Sequence, residues 1–141
     1  MEAIRIVLAI DTPATRAAVA EFVEVCPGLE IAAQVSMGAE AFAEAVLERP
    51  DLVLVEAPPT SNMMTATTSI RIFTRLTKQY CPQTKVVLLT AETNNSLATS
   101  VVATGIDGIV SRDDLPVQLL LLIEEFFLGG RRESVNGGAA A

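Results

Sequence analysis

Four short segments of the chain are apolar without interruption: Ile6 to Ala9, Leu52 to Val55, Val86 to Leu89, and a weaker run from Leu29 to Ala33 that contains Glu30. A strand with one face in water alternates polar and apolar residues. Unbroken runs of this length therefore belong to strands covered on both faces, as in a parallel sheet between helices. Helical spacing fills the intervals. Ala14, Ala18, Phe22 and Val25 recur at steps of four and three, behind Thr12 as a candidate N-cap and Pro13 in the first turn. Cys26-Pro27-Gly28 stops that helix. The next runs from Met37 to Arg49, with Glu40, Glu44 and Glu48 as a solvated stripe opposite Ala41, Ala45 and Val46, and Pro50 ends it.

Ala57 to Ser69 reads as a long irregular loop. After it Ile70, Phe73, Leu76 and Tyr80 take up helical spacing, and Arg71, Arg75 and Lys78 line up as a basic stripe. A short fourth helix begins around Leu97 and Val101 and ends at Gly105; Gly108, Ile109 and Val110 suggest a fifth strand. Alternation of this kind predicts an α/β domain with a doubly wound sheet. The last helix, from Leu115 to Leu128 with Pro116 in its first turn, is apolar nearly all round. Leu120, Ile123 and Phe127 are expected to face the sheet, which leaves Val117, Leu121 and Leu128 as a second stripe that needs cover. The domain is assigned to residues 1–128, and the polar, glycine-rich stretch 129–141 reads as a linker or tail.

The chain's 141 residues are half hydrophobic and 19% charged, enough for one core without staples. Seventeen acidic against ten basic residues give a net charge of -7, which opposes binding to a phosphate backbone, so direct contact with nucleic acid is not expected. Histidine is absent, which removes the commonest general base, the histidine-activated nucleophiles and the most used transition-metal ligand. Cys26 and Cys81 each precede a proline, lack CxxC spacing and read as reduced thiols. No apolar run approaches the roughly 20 residues of a membrane span, and no signal-peptide pattern opens the chain. These readings place the protein in the cytoplasm, away from membranes.

In an open parallel sheet, ligands sit outside the carboxyl ends of the strands. The residues there are Ile10, Asp11 and Thr12; Glu56 and Ala57; Thr90 and Ala91; Ser111 and Arg112. Together with Ile4-Arg5-Ile6-Val7-Leu8-Ala9, Cys26-Pro27-Gly28-Leu29-Glu30, Arg49-Pro50-Asp51-Leu52-Val53-Leu54-Val55, Val86-Val87-Leu88-Leu89-Thr90-Ala91 and Ala103-Thr104-Gly105-Ile106-Asp107-Gly108, they carry a resemblance. From Ile4 to Arg132 the chain resembles the receiver domain of two-component response regulators, especially the NarL/FixJ-like class that ends in a helix-turn-helix output domain.

The resemblance implies a flavodoxin-like (CheY-like) sheet of five parallel strands in order 2-1-3-4-5. The first and last helices would cover one face and the others the second, which keeps Cys26 and Cys81 apart. A working receiver needs an aspartate pair after its first strand to hold Mg²⁺, an acceptor aspartate after the third, a hydroxyl after the fourth and a lysine after the fifth. This chain has Ile10 and Asp11 at the pair, Glu56 at the acceptor position, Thr90 at the hydroxyl and Arg112 at the lysine. Ile109 stands where the family often has an aromatic reporter, and the loop after Glu56 is longer than usual. Glutamate is one methylene longer than aspartate, and in-line transfer tolerates little misplacement.

The expectation is a pseudo-receiver that keeps the fold without the phosphorylation chemistry. It would be no enzyme and hold no cofactor and no metal, Asp11 and Glu56 being the carboxylates left for one. Arg112 is expected to pair with Glu56 or Asp11. Glu56 would then be either a fixed stand-in for phosphoaspartate or a tolerated polar residue at a strand end. Expected partners are a second copy, in a two-fold dimer through Val117, Leu121 and Leu128, other regulatory proteins, and a downstream DNA-binding domain outside this chain, with transcriptional regulation as the implied output. Two other readings stand beside it. One is a divergent, phosphorylatable receiver using Asp11, Glu56, Thr90 and Arg112 with weakened Mg²⁺ binding. The other is a small-molecule sensor with a pocket edged by Ile10, Ala57 and Met63 or Met64. A flavin carrier is disfavoured, because Asp11-Thr12-Pro13 replaces the phosphate-cradling glycine loop.

Overall fold

The computed structural model describes residues 3–36, 38–57, 63–90 and 105–129, with the side chains of residues 63, 64 and 129 left aside. Within them five parallel strands form one sheet: β1 (Ile4–Ala9), β2 (Leu29–Val35), β3 (Leu52–Glu56), β4 (Lys85–Thr90) and β5 (Gly108–Ser111). Their order is β2-β1-β3-β4-β5, as expected. Ile6 lies beside Leu52, Leu52 beside Lys85, and Val87 beside Gly108, so the carboxyl ends of β1, β3 and β5 come to one edge. Among the described residues four helices cover the sheet: α1 (Pro13–Val25), α2 (Ala39–Glu48), α3 (Met63–Tyr80) and α4 (Leu115–Ile123). A 3-10 turn, Arg112–Asp114, leads into α4, and a π-helical turn, Glu124–Gly129, follows it.

Strand alternation divides the core. Ile6, Leu8 and Ile10 join Leu52, Leu54, Leu89 and Val110 under α1 and α4, against Val19, Val23, Leu115 and Leu119. Val7 and Ala9 join Val53, Val55 and Leu88 under α2 and α3, against Ala41, Ala45, Ile70 and Phe73. At about 1.5–3 kcal/mol for each large apolar side chain fully removed from water, these two layers hold the fold. Gly28, at φ 88, makes the turn that delivers the chain into β2, a conformation side chains rarely adopt.

Several elements differ from expectation. The inward residues of α1 are Thr15, Val19 and Val23, whereas Ala14, Ala18 and Val25 are exposed; alanines bury too little surface to set a helix's phase. Thr12 occupies the N-cap position without a side-chain cap bond, and Pro13 opens the helix. Helix α3 begins at Met63, so most of the segment read as irregular is helical: Ala66, Ile70 and Phe73 continue one apolar face through a threonine-rich sequence. In α4 the core residues are Leu115, Leu119 and Ile123, while Leu120 is 44% exposed.

The stripe of Val117, Leu121 and Leu128 is exposed. After Ile123 the Glu124 N–H reaches the carbonyls of both Leu120 and Leu121. The helix widens beyond that point, over Glu124–Gly129, and both Phe126 and Phe127 are half-buried, edge to face at 6.0 Å. Neither charged stripe is purely solvated. Glu48 is half-buried and binds Arg5 at 2.7 Å; Lys78 donates to Asp107 at 2.5 Å and to the Thr84 carbonyl at 2.8 Å. Cys26 and Cys81 are free thiols at the ends of helices on opposite faces. The helix expected near Leu97 and Val101, and the stretch 130–141, lie outside the described residues.

Candidate functional site

Leu52 and Leu54 point into the layer under α1 and α4, and Glu56, two residues on, continues in that phase. Its carboxylate therefore projects beneath the turn between β1 and α1, with only 4% of the side chain exposed. Oε1 accepts the backbone N–H of Asp11 at 3.0 Å and that of Thr12 at 2.9 Å. Oε2 accepts from Arg112 Nη2 at 2.9 Å. Arg112 begins the 3-10 turn after β5, and that turn is held from two sides. The Ser111 N–H donates to Gln118 Oε1 at 2.7 Å, and Ser111 Oγ accepts from the Asp113 N–H at 3.4 Å. A buried carboxylate is tolerated when its oxygens are satisfied and its charge is opposed; three donors, one of them cationic, do both here.

The other expected residues divide. Asp11 is exposed, and its N–H is held by Glu56. Ile10 is fully buried in the core under α1 and α4; its carbonyl accepts from Arg16 Nε at 2.8 Å. Thr90 is buried at the end of β4, where its hydroxyl donates to the Val110 carbonyl at 3.4 Å. Ile109 packs beside the layer under α2 and α3. The structure thus gathers Asp11, Glu56 and Arg112 and turns Ile10 inward. Arg16 was missed: it bridges the Ile10 carbonyl and Ser36 Oγ, the latter at 3.5 Å. A signal for it existed, since positions 12, 13, 19 and 20 offer no acid within helical reach and its partners had to lie off the helix.

Of the residues expected to edge an apolar pocket, the two whose side chains are described lie on opposite faces of the sheet. Ile10 belongs to the core on one face of the sheet and Ala57 packs against the core on the other; the side chains of Met63 and Met64 lie outside the described residues. A groove of about 520 Å³ opens between α2 and α3. Phe42, Ile72, Phe73 and Leu76 line it, with Gly38 and Ala39 at its rim and Ser69 and Asp11 as polar groups.

No family model matches the sequence, and no curated protein matches it. Solved structures do. The signal receiver domain of the response regulator NarL from Mycobacterium tuberculosis aligns at TM-score 0.70 and 17% identity, over 89% of this chain and 96% of that one. A LuxR-family two-component response regulator from Aurantimonas sp. SI85-9A1 aligns at 0.73 and 22%, over 91% and 87%. The response regulator domain of Thermotoga maritima CheB aligns at 0.70 and 15%, over 88% and 96%. The chain has the fold of a response-regulator receiver domain.

Receiver phosphorylation is supported by Mg²⁺, a hard cation that takes oxygen ligands, and the residues present do not fit it. Ile10 brings no carboxylate. Glu56 Oε1 faces two N–H groups whose positive ends would point at a cation placed there, and Oε2 already has a cation in Arg112. Among the described residues, no three or more acidic, histidine or cysteine side chains are grouped to hold a metal ion. What the arrangement can do is hold one charge in one place: β1, β3 and β5 of the receiver fold are tied at their carboxyl ends through a single carboxylate. No helix among the described residues is long and apolar enough to cross a membrane.

Proposed function

We propose that this domain is a receiver-like regulatory module that works without phosphorylation. In it the Glu56 carboxylate is a permanent anion in the signal pocket, and the output passes through protein contacts. The observation that carries the reading is the occupancy of Glu56 itself, since both oxygens already accept donors from β1 and β5. An acceptor carboxylate must present a lone pair in line with a phosphoryl donor, and here three of the roughly four lone-pair positions are directed at N–H groups. The same burial favours the phosphoaspartate stand-in over the tolerated polar residue, because a merely tolerated glutamate at a strand end would keep its carboxylate in water.

The contact surface is the outer face of α4. Val117 is 65% and Leu121 60% exposed, and no charged residue occurs from Leu115 to Ile123. In a chain of net charge -7, this is where two copies can meet without opposing like charges, so a two-fold homodimer through Val117, Leu121 and Leu128 is the assembly we propose. Other regulatory proteins and a DNA-binding output domain complete the proposed pathway, in the cytoplasm and with no cofactor. Nucleic acid contact by this domain is not part of it.

The test is intact-mass measurement after incubation with acetyl phosphate and Mg²⁺. An unchanged mass supports the reading. A stable phosphoryl adduct at Glu56 or Asp11 overturns it in favour of a phosphorylatable receiver.

A further inference from the structure

We infer that the groove between α2 and α3 is a binding site for a small organic cation, an aryl- or alkyl-bearing amine, with its apolar body on Phe42, Ile72, Phe73 and Leu76 and its ammonium group at Asp11. The volume of about 520 Å³ lies within the ~300–1,000 Å³ of ligand clefts. It is also roughly three times the ~150 Å³ that takes up a benzene ring. That suits a molecule of a few rings rather than a length of peptide.

The walls are fixed before any ligand arrives. Phe73 is buried in the layer beneath α3. The ring of Phe42 stands edge to face with Tyr80 at 5.8 Å, which braces it from behind. Ile72, by contrast, is 54% exposed at the rim, an apolar surface that a ligand would remove from water.

Charge selects the class of ligand. Asp11 is the one charged residue among the described residues lining the groove, and Ser69 adds a hydroxyl to the lining. The nearby arginines do not line it: Arg112 is held by Glu56, and Arg16 by the Ile10 carbonyl and Ser36. The whole chain is negative, which raises the local concentration of cations and excludes acids. A carboxylate offers about four acceptor positions, so Asp11 can take an ammonium donor beside the contacts it already makes. The site is also connected to the signal pocket, because the Asp11 N–H is one of the two backbone donors on Glu56. That consequence rests on the regulatory reading above; the binding does not.

The experiment titrates the isotope-labelled protein with 4-phenylbutylamine, using 4-phenylbutyrate and 4-phenylbutanol as matched probes, and follows backbone amide resonances. The amine should give saturable shifts at Phe42, Ile72 and Leu76 in the low millimolar range. Affinity should fall at least tenfold for the butyrate and in Asp11→Asn, and binding should be lost in Ala39→Trp, which fills the groove from its exposed rim. The two variants alter separate walls, so a fold defect in one leaves the other readable. Absence of saturable shifts, equal affinity for amine and acid, undiminished binding by Asp11→Asn, or shifts centred on α4 would each overturn the inference. Phosphorylation by acetyl phosphate would overturn the regulatory reading while leaving this titration intact, so the two failures are distinguishable.

Discussion

Arg112 reaches from the end of β5 to Glu56 at the end of β3, and the 2.9 Å contact joins two unlike environments: 40% of the arginine side chain is exposed but only 4% of the glutamate's. The exposed half makes the ion pair itself a small term, since water and salt screen a half-exposed guanidinium. The buried half is the consequential one. A carboxylate in that position stands in for two hydrogen-bond acceptors that the backbone of Asp11 and Thr12 would otherwise lack, and stranded donors are costly.

Replacing Glu56 with alanine should therefore lower stability by about 2–3 kcal/mol, the lower end of roughly 1–3 kcal/mol for each of two donors left unpaired, because both N–H groups are only partly buried. For a domain of this size that corresponds to a fall in Tm of roughly 6–15 °C. Glu56→Gln keeps an acceptor oxygen and should fall less. Formate or acetate should raise the Tm of the alanine variant and leave the native protein unchanged. Thermal melts followed by circular dichroism measure all three, and an alanine variant that melts with the native protein would show that the carboxylate has no structural role.

Restoring an aspartate at position 10 should not rebuild a metal site. Ile10 is fully buried among Leu8, Leu52 and Leu119, where an unpaired carboxylate has no donor. Ile10→Asp should cost more than about 3 kcal/mol in urea unfolding, against about 0.5–1.5 kcal/mol for Ile10→Val. Calorimetric titration of Ile10→Asp with Mg²⁺ should show no gain over the native protein.

The outer face of α4 is testable without disturbing the core. Leu121 is exposed, so Leu121→Glu should change stability by less than about 0.5 kcal/mol yet place two acids face to face in the proposed dimer. Size exclusion at micromolar concentration should show the native chain as a dimer and the variant as a monomer. Two monomers would remove the interface.

How much of this was legible in the residues depended on how strongly each position was constrained. The unbroken apolar runs Ile6 to Ala9, Leu52 to Val55 and Val86 to Leu89 read as buried strands, which they are, and Glu56 and Arg112 could be paired on paper because the carboxyl ends of strands in one parallel sheet share one crevice. The inward turn of Ile10 was also readable, from Ile6 and Leu8 at the same parity. The phase of α4 was not. Where seven of nine residues are apolar, hydrophobic spacing carries no signal, and the choice of Leu119 over Leu120 was made by the 3-10 turn that sets Leu115 against the sheet. The groove between α2 and α3 was hidden for another reason: it depends on how far apart two helices stand.

A fourth expectation concerns the opposite end of the sheet. Asp107 Oδ2 accepts from both Lys78 Nζ and the Val86 N–H, so it binds α3 to β4 ahead of β5. Asp107→Ala should lose about 2–3 kcal/mol, since it strands the Val86 N–H and leaves the partly buried Lys78 ammonium with the Thr84 carbonyl but no opposing charge. The Val86 amide should exchange with solvent markedly faster. Exchange unchanged at Val86 would mean that the loop is held by other contacts.

The wide turn from Glu124 to Gly129 works like a vernier at the end of the last helix. A turn with i→i+5 bonds advances the azimuth by less per residue than the roughly 100° of an ordinary helix, so relaxing it to normal pitch without losing a residue would carry Phe127 and Leu128 further round the axis. Phe127 and Leu128 would leave the cleft they share with Ile4 and Leu29. The aim of the domain's adhesive surface is thus set by a local slackening of the coil as much as by the identity of the leucines on it.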